Sequence, residues 1–226
     1  MNRRLGLMLA ALLVLASCSS HHATPTSPAP SSDPAPAATT PEGAVTRFAW
    51  AWNHRDMAAY AALLTDDFTF TFQLDDSTGQ PWREANWNVD DEWRSSLHWF
   101  VGGGAQPPAL DVQFSFLAPY EVSPDPRPGR NPRWHRVVHP FLNLLVTSPV
   151  AGGDTLQYSI AGFASFYFVR GDSAAFRGVP AGASSDSTRW FLQRWEDGTY
   201  HQLGPARYPI PVPMVTWGYL KGRYWD

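Results

Sequence analysis

Histidines, clustered acids and a few tyrosines are the residues of this 226-residue chain that could move protons or hold a metal. His135 and His139 are the most suggestive pair, because residues four apart on a helix share a face and can grip one ion. Their flanks, Trp134, Val137, Val138, Phe141 and Leu142, read instead as strand. On a strand such a pair lies about 13 Å apart, at roughly 3.3 Å per residue, too far to share an ion. No metal and no cofactor are expected. His139 alone, beside Pro140 on the face of Val137, Phe141 and Leu145, has two readings. It either hydrogen-bonds beside a sheet or serves as an acid–base group in a pocket. Tyr158, in line with Ile160, Gly162 and Phe166, could point its hydroxyl into the same pocket or find one buried partner. His139 and Tyr158 are thus weak catalytic candidates, with none stronger. Asp66-Asp67 sits at a helix–strand junction and reads as structural. Asp90-Asp91-Glu92 falls in a first helical turn, where negative charge suits the helix dipole. No Gly-x-Ser-x-Gly phrase is present, and Gly102-Gly103-Gly104 follows a helix where a phosphate cradle would open one.

The elements that must position these groups can be read from period and punctuation. Thr40-Pro41-Glu42 is a helix start, with a capping hydroxyl, proline at the first position and an early acid. Val45, Phe48, Ala49 and Trp52 then mark one helical face. Asp56 can cap a second short helix with Met57, Tyr60, Ala61 and Leu64 inward. Phe68, Phe70, Phe72 and Leu74 alternate with polar residues, which is a half-buried strand. Asn88 can cap a third helix through Phe100, with Trp93, Leu97 and Phe100 inward, and the three glycines end it. Residues 109–118, Trp134–Thr147, Thr155–Arg170 and Arg189–Trp195 read as strands, and Asp197-Gly198 as a turn. Loops are expected at 75–87, 119–133 and 172–186, and a short terminal segment at Trp217–Trp225. Helices first and antiparallel strands after them predict an α+β fold, with three N-terminal helices packed on one face of a curved antiparallel sheet.

The run from Phe48 to Tyr60, then Leu63-Leu64-Thr65-Asp66-Asp67-Phe68, resembles the opening of nuclear transport factor 2-like domains, which include polyketide cyclase and ketosteroid isomerase relatives. The strand Trp190–Asp197 is similar to the closing strand of such domains. The resemblance covers residues 42 to about 197. It implies a sheet curved around a cone-shaped pocket closed by the helices. Trp52, Tyr60, Trp93, Leu97, Phe100, Phe141, Tyr158 and Trp195 are then its candidate lining. Catalytic members place an Asp, His or Tyr in that pocket, but no motif here matches their constellations residue by residue. The fold also serves binding and dimerisation modules, so it does not fix a function.

The amino terminus carries a different chemistry. Arg3 and Arg4 precede an apolar stretch, Leu5–Leu15, of about 11 residues, where a spanning helix needs roughly 20. Leu15-Ala16-Ser17-Cys18 follows, and Cys18 is the only cysteine, so it can form no intramolecular disulfide. This resembles the signal and lipobox of bacterial lipoproteins. The resemblance implies cleavage before Cys18, its diacylation, and acylation of the new amino terminus. Ser19, in place of the Asp that commonly retains lipoproteins at the inner membrane, implies the outer membrane, facing the periplasm. The expected organisation is signal peptide 1–17, lipidated Cys18 with a disordered Pro/Ser/Thr/Ala tether through residue 40, and one domain over 41–226. That domain carries a C-terminal extension after about residue 197. At about 3.1 Å per residue the 22-residue tether could reach roughly 70 Å.

Removing residues 1–17 leaves 15 basic against 20 acidic residues, a net charge of −5, and Lys221 is the only lysine. With no Lys/Arg cluster in sequence, nucleic acid is excluded as a partner and membrane attachment rests on the lipid. All 11 tryptophans fall in residues 41–226, which gives either a large aromatic core or an aromatic-lined cavity. The leading functional expectation is a lipid-anchored, non-catalytic envelope domain binding a small apolar ligand or a protein partner through an aromatic pocket. The alternatives are a metal-free isomerase, dehydratase or cyclase using a pocket His or acid, and a structural module that forms a homodimer through its sheet.

Overall fold

The computed structural model describes residues 33–73, 87–150, 152–171, 187–199 and 212–226. The signal segment, Cys18 and the first part of the tether lie outside the described residues, as do most of the loop 75–87 and all of 172–186. Helix α1 (Pro41–His54) begins where Thr40 accepts the Gly43 amide at 3.0 Å, with Pro41 in the first turn as the sequence requires. It ends at Arg55, whose φ of 51° is left-handed, a conformation common just past a helix end but costly for a branched side chain. The Arg55 guanidinium donates to the Ala109 carbonyl at 2.6 Å and holds this corner. Asp56 caps the short α2 (Met57–Ala61), and β1 (Leu64–Thr71) follows directly. β2 is Trp87–Asn88, and Asn88 caps α3 (Val89–Phe100) in a reciprocal capping box with Asp91. A four-strand antiparallel meander comes next: β3 (Asp111–Pro124), β4 (His135–Pro149), β5 (Thr155–Arg170) and β6 (Trp190–Thr199).

The six strands form one curved sheet in the order β2-β1-β6-β5-β4-β3. The sheet is mixed, which corrects the antiparallel expectation: β1 runs parallel to β6, pairing Leu64 with Leu192 and Thr69 with Arg194. A parallel pair needs a long connection, and here the whole meander supplies it, so no local signal could set that direction. Helices α1 to α3 cover one face. Asn53 on α1 acts as a surrogate strand on the free edge of β3, donating to the Phe114 carbonyl at 2.9 Å and accepting its amide at 2.6 Å.

Two further corrections and one addition concern the ends of elements. Asp197-Gly198 is no turn; it lies within β6, with Gly198 opposite Phe163. The terminal segment is a helix, α4 (Trp217–Arg223), whose Trp217, Leu220, Lys221 and following Tyr224 are fully buried. Residues 213–215 lead into it along the edge of β5 that β6 vacates, through Ser159–Pro213 and Val215–Ser159 backbone bonds of 3.0 and 2.9 Å. The last residues of the expected tether also belong to the fold. Ala38 is buried in the core, its carbonyl accepts the Trp190 amide at 2.8 Å, and the Pro36 carbonyl accepts from Arg47 at 3.0 Å.

Candidate functional site

The space between helices and sheet, where a pocket was expected, is packed with rings. Phe48 of α1 lies 5.1–6.4 Å, centroid to centroid, from Tyr60, Phe114, Phe116, Phe166, Trp195 and Trp217. Trp217 of α4 sits 4.7 Å from both Trp52 and Trp195, so the C-terminal helix fills the middle of the cone. Four of these eight contacts are edge-to-face, a favoured aromatic geometry, and the other four are tilted.

One cation is buried among these rings. The Lys221 ammonium has no solvent exposure and binds both carboxylate oxygens of Glu92, which is equally buried. Its nitrogen lies 4.6 Å from the ring centre of Trp195 and 4.7 Å from that of Phe70, with Trp52, Trp87 and Trp217 each at 5.9 Å. The Tyr60 hydroxyl donates to Glu92 at 2.6 Å and the Ser96 hydroxyl at 3.2 Å. Burial pulls the Lys221 ammonium below the ordinary lysine value, against the upward pull of Glu92 and Asp197. Burial first, then the Glu92 charge and hydrogen bond, push the Tyr60 phenol well above the usual tyrosine value. An amine, a carboxylate and a phenol in contact could in principle shuttle a proton. Here all three groups are fully buried among the described side chains.

The helix that brings Lys221 in is itself held by polar residues of β6. Thr199 accepts the Trp217 amide and Asp197 the Gly218 amide, each at 2.9 Å, and Thr216 accepts the Tyr219 amide at 3.0 Å. These are the orphan donors that any helix start must satisfy. Asp197 is further tied to the Thr199 amide and hydroxyl at 2.9 and 2.6 Å.

The predicted lining residues divide between two surfaces. Trp52, Tyr60, Phe100, Tyr158 and Trp195 are in the packed interior, and Leu97 is half-buried. Trp93 is 45% exposed, so it faces outward, contrary to expectation. The inward face of α3 is Glu92, Ser95, Ser96, Trp99 and Phe100, one residue out of phase with the apolar reading, because polar side chains on that face serve the buried lysine. Phe141 also lies outside, on the far face of the sheet, with its ring 5.2 Å from Phe163. His139 is exposed on that outer face with Nδ1 3.0 Å from the Ser165 hydroxyl, which corrects its reading as a pocket acid–base group. Tyr158 is buried beneath the Arg223 guanidinium, 5.6 Å above its ring, and burial raises its pKa. His135 is buried under the loop 124–134, its Nδ1 accepting the Asn131 amide at 3.1 Å, and burial lowers its pKa. Lys221 and Glu92 were missed as partners. The available signal was a single lysine within an aromatic segment and an acid in phase with Ser96 and Trp99.

The outer face is different in kind. Leu117, Phe141, Phe163 and Gly198 stand side by side in register across β3, β4, β5 and β6. Leu117 is 55% exposed and Phe163 59%. Beside this ridge the sheet carries an open depression of about 640 Å³, lined by Gln113, Ser115, Asn143, Leu145 and Ser159 and reaching Asn53 at the edge. Among the described residues no three His, Cys, Asp or Glu side chains come together as a metal site.

No protein-family model matches the chain, and no curated protein matches its sequence. Solved structures do resemble it. A conserved protein from Planctomyces limnophilus is 16% identical, covering 70% of this chain and 92% of its own, with a TM-score of 0.43. A nuclear transport factor 2-like superfamily protein from Salmonella enterica is 12% identical over 74% of this chain and 89% of its own, with a TM-score of 0.39. A ketosteroid isomerase-like protein from Erwinia carotovora is 18% identical over 73% and 94%, with a TM-score of 0.41. No residue role passes from them to this chain.

Proposed function

We propose that this protein is a lipid-anchored module of the bacterial envelope that works by pairing with a second copy through the outer face of its sheet, without catalysis. The observation that carries the reading is the row Leu117–Phe141–Phe163 in the middle of that face, with Leu117 and Phe163 exposed and Phe141 half-buried between them. A solvated sheet face normally carries polar residues at such positions. The ridge lies directly beside a depression. A patch holding both the raised and the hollow half of a fit is self-complementary, which is what a two-fold interface requires. The face is otherwise a broad sheet, a shape that suits another sheet packed across it.

The filled interior supports the same choice. A small apolar ligand would have to displace rings already in mutual contact, and a pocket enzyme would need a group reachable by substrate. The anchor reading rests on the segment ending at Cys18. Native mass spectrometry and sedimentation of the mature chain, with Cys18→Ser to keep it out of micelles, test the pairing. A concentration-dependent dimer that Phe163→Asp converts to a folded monomer is expected. A monomer at all concentrations, or a co-purifying small molecule of defined mass, would overturn the reading.

A further inference from the structure

The outer face of the sheet is ordered in rows that cross β3, β4 and β5, set by the strand register. Leu117, Phe141 and Phe163 form the ridge, and one row along from it stand Ser115, Asn143 and Ala161. The next row is Gln113, Leu145 and Ser159, and after it come Asp111, Thr147 and Gln157. The depression occupies the two rows next to the ridge, and β4 runs through the middle of both features. Rows on one face are two residues apart, about 6.7 Å. A ridge one row wide therefore lies beside a hollow two rows wide. In the row next to the ridge Ser115 and Ala161 are small, so the Asn143 carboxamide is its tallest side chain. That carboxamide is half-buried and has no hydrogen-bond partner among the described residues.

We infer that the two-fold axis of the pair crosses β4 at Asn143, and that this residue, meeting its own copy there, fixes the register. This axis rests on the pairing proposed above. Two identical faces that stack are related by an axis lying in the plane between them. An axis along the row of Asn143 turns each strand back over its own copy in the opposite direction. It places the ridge on the row Gln113–Leu145–Ser159 of the second copy, inside the hollow. Phe141 then lies on Leu145 of the second copy and Phe163 on Ser159. An axis through the ridge would instead set Phe141 on its own copy and leave both hollows empty. The angle of about 30° between aligned sheets leaves the residue on the axis facing itself. A carboxamide suits that place, because it is both donor and acceptor. Two copies related by a two-fold satisfy each other with reciprocal N–H to O=C bonds. A slip of one row either way would set the amide on Phe141 or Leu145 and leave it unpaired, which is how a polar contact in an apolar interface specifies register. The outermost rows are polar, as the rim of an interface is: Glu121, His139 and Ser165 beyond the ridge, and Asp111, Thr147 and Gln157 beyond the hollow. Five rows across four strands at about 4.8 Å come to roughly 600 Å² per copy, at the lower bound for specific interfaces. So small a patch leaves little area to fix the register by shape alone.

The mature chain carrying Cys18→Ser holds no cysteine, so a single introduced thiol reports which residues meet their own copies. Ser115→Cys and Gln157→Cys are each treated with a bis-maleimide bridging about 10 Å, the separation of stacked sheets, at a concentration where sedimentation shows the pair. Ser115→Cys, beside Asn143 in the row of the axis, should give a covalent dimer. Gln157→Cys, two rows off the axis, should run as a monomer on a denaturing gel, since its copies stand about 27 Å apart along the strands. Asn143→Leu added to Ser115→Cys should leave the chains associated but cut the linking to about a third, with the register shared among three neighbouring rows. Linking through Gln157→Cys, or through neither site in a chain that still sediments as a dimer, would overturn the axis and leave the pairing. Undiminished linking with Asn143→Leu would overturn the role of Asn143. A wild-type monomer at every concentration would overturn the pairing itself, and the axis with it.

Discussion

The two faces of this sheet carry the same kinds of side chain in opposite states. On the inner face even the charges are buried: Lys221 and Glu92 meet inside a shell of Trp52, Phe70, Trp87, Trp195 and Trp217. On the outer face even large apolar groups are exposed, with Phe163 and Leu117 standing clear of the surface. A polar group inside and an apolar group outside are each the less common arrangement. The inner exception is fully compensated, since every oxygen of Glu92 has a partner, and so it belongs to stability. The outer exception is covered only in part, Phe163 on one side by the Phe141 ring 5.2 Å away, and it is the surface that the proposed association would use. Tryptophan content alone fits a core or a binding cavity equally; what separates core from site is which face each ring is on.

The comparison breaks most sharply at the ion pair. Lys221→Ala or Glu92→Ala should each cost about 3–5 kcal/mol in chemical denaturation, because either leaves one buried charge unmatched. The double change Lys221→Met with Glu92→Leu should restore most of that loss, since apolar groups of similar volume replace the pair. If the single variants were as stable as wild type, the pair would not be dry and the cone would be open to solvent.

Next in size is the bracket that holds α4. Asp197→Ala should cost about 1.5–3 kcal/mol, the range for hydrogen bonds to a charged group, read by the same unfolding curves. As the only lysine, Lys221 also reports this region by chemistry. An amine-reactive reagent should leave it unmodified in the native chain and modify it on unfolding, and Asp197→Ala should bring that modification to lower denaturant.

The outer face should behave in the opposite way. Phe163→Asp should change stability by no more than about 0.5 kcal/mol, as for other exposed sites, while abolishing self-association. The smallest effects are pH effects near this face. Burial, with Glu196 accepting the hydroxyl proton at 3.0 Å, pushes the Tyr167 phenol from its ordinary 10.0 up to about 12. The folded state therefore holds this proton more tightly than the unfolded state. The stabilisation is complete below pH 10 and is lost as the pH rises through about 12. Denaturation midpoints between these limits, compared with Tyr167→Phe, should show the slope in wild type alone. His135 runs the other way: burial depresses its pKa, so its contribution is present above the ordinary histidine value and lost on acidification through the lower folded one. The charges facing it are Arg130, Asp125 and Arg127.

Much of this frame was legible in the residues. The caps Thr40, Asp56 and Asn88 start the helices where expected, and β5 spans Thr155–Arg170 as its alternation indicates. Local signals suffice there, because a cap or a period-two run is satisfied within a few residues. What failed was set by distant partners. The face of α3 was misjudged because Glu92 is turned inward by a lysine 129 residues away. Asp197-Gly198 has turn composition, but its carboxylate caps a helix that begins 20 residues later, and that keeps it in the strand. The position of Phe141 depended on register alone, since a strand places alternate residues on opposite faces and the sequence does not say which face is covered.

Sedimentation equilibrium of the mature Cys18→Ser chain beside its Phe163→Asp variant, over a hundredfold range of concentration, tests the division between the two faces most directly. A dimer that becomes a monomer in the variant, with unchanged unfolding midpoints, is the predicted result. A wild-type monomer throughout, or a variant that still pairs, would contradict it.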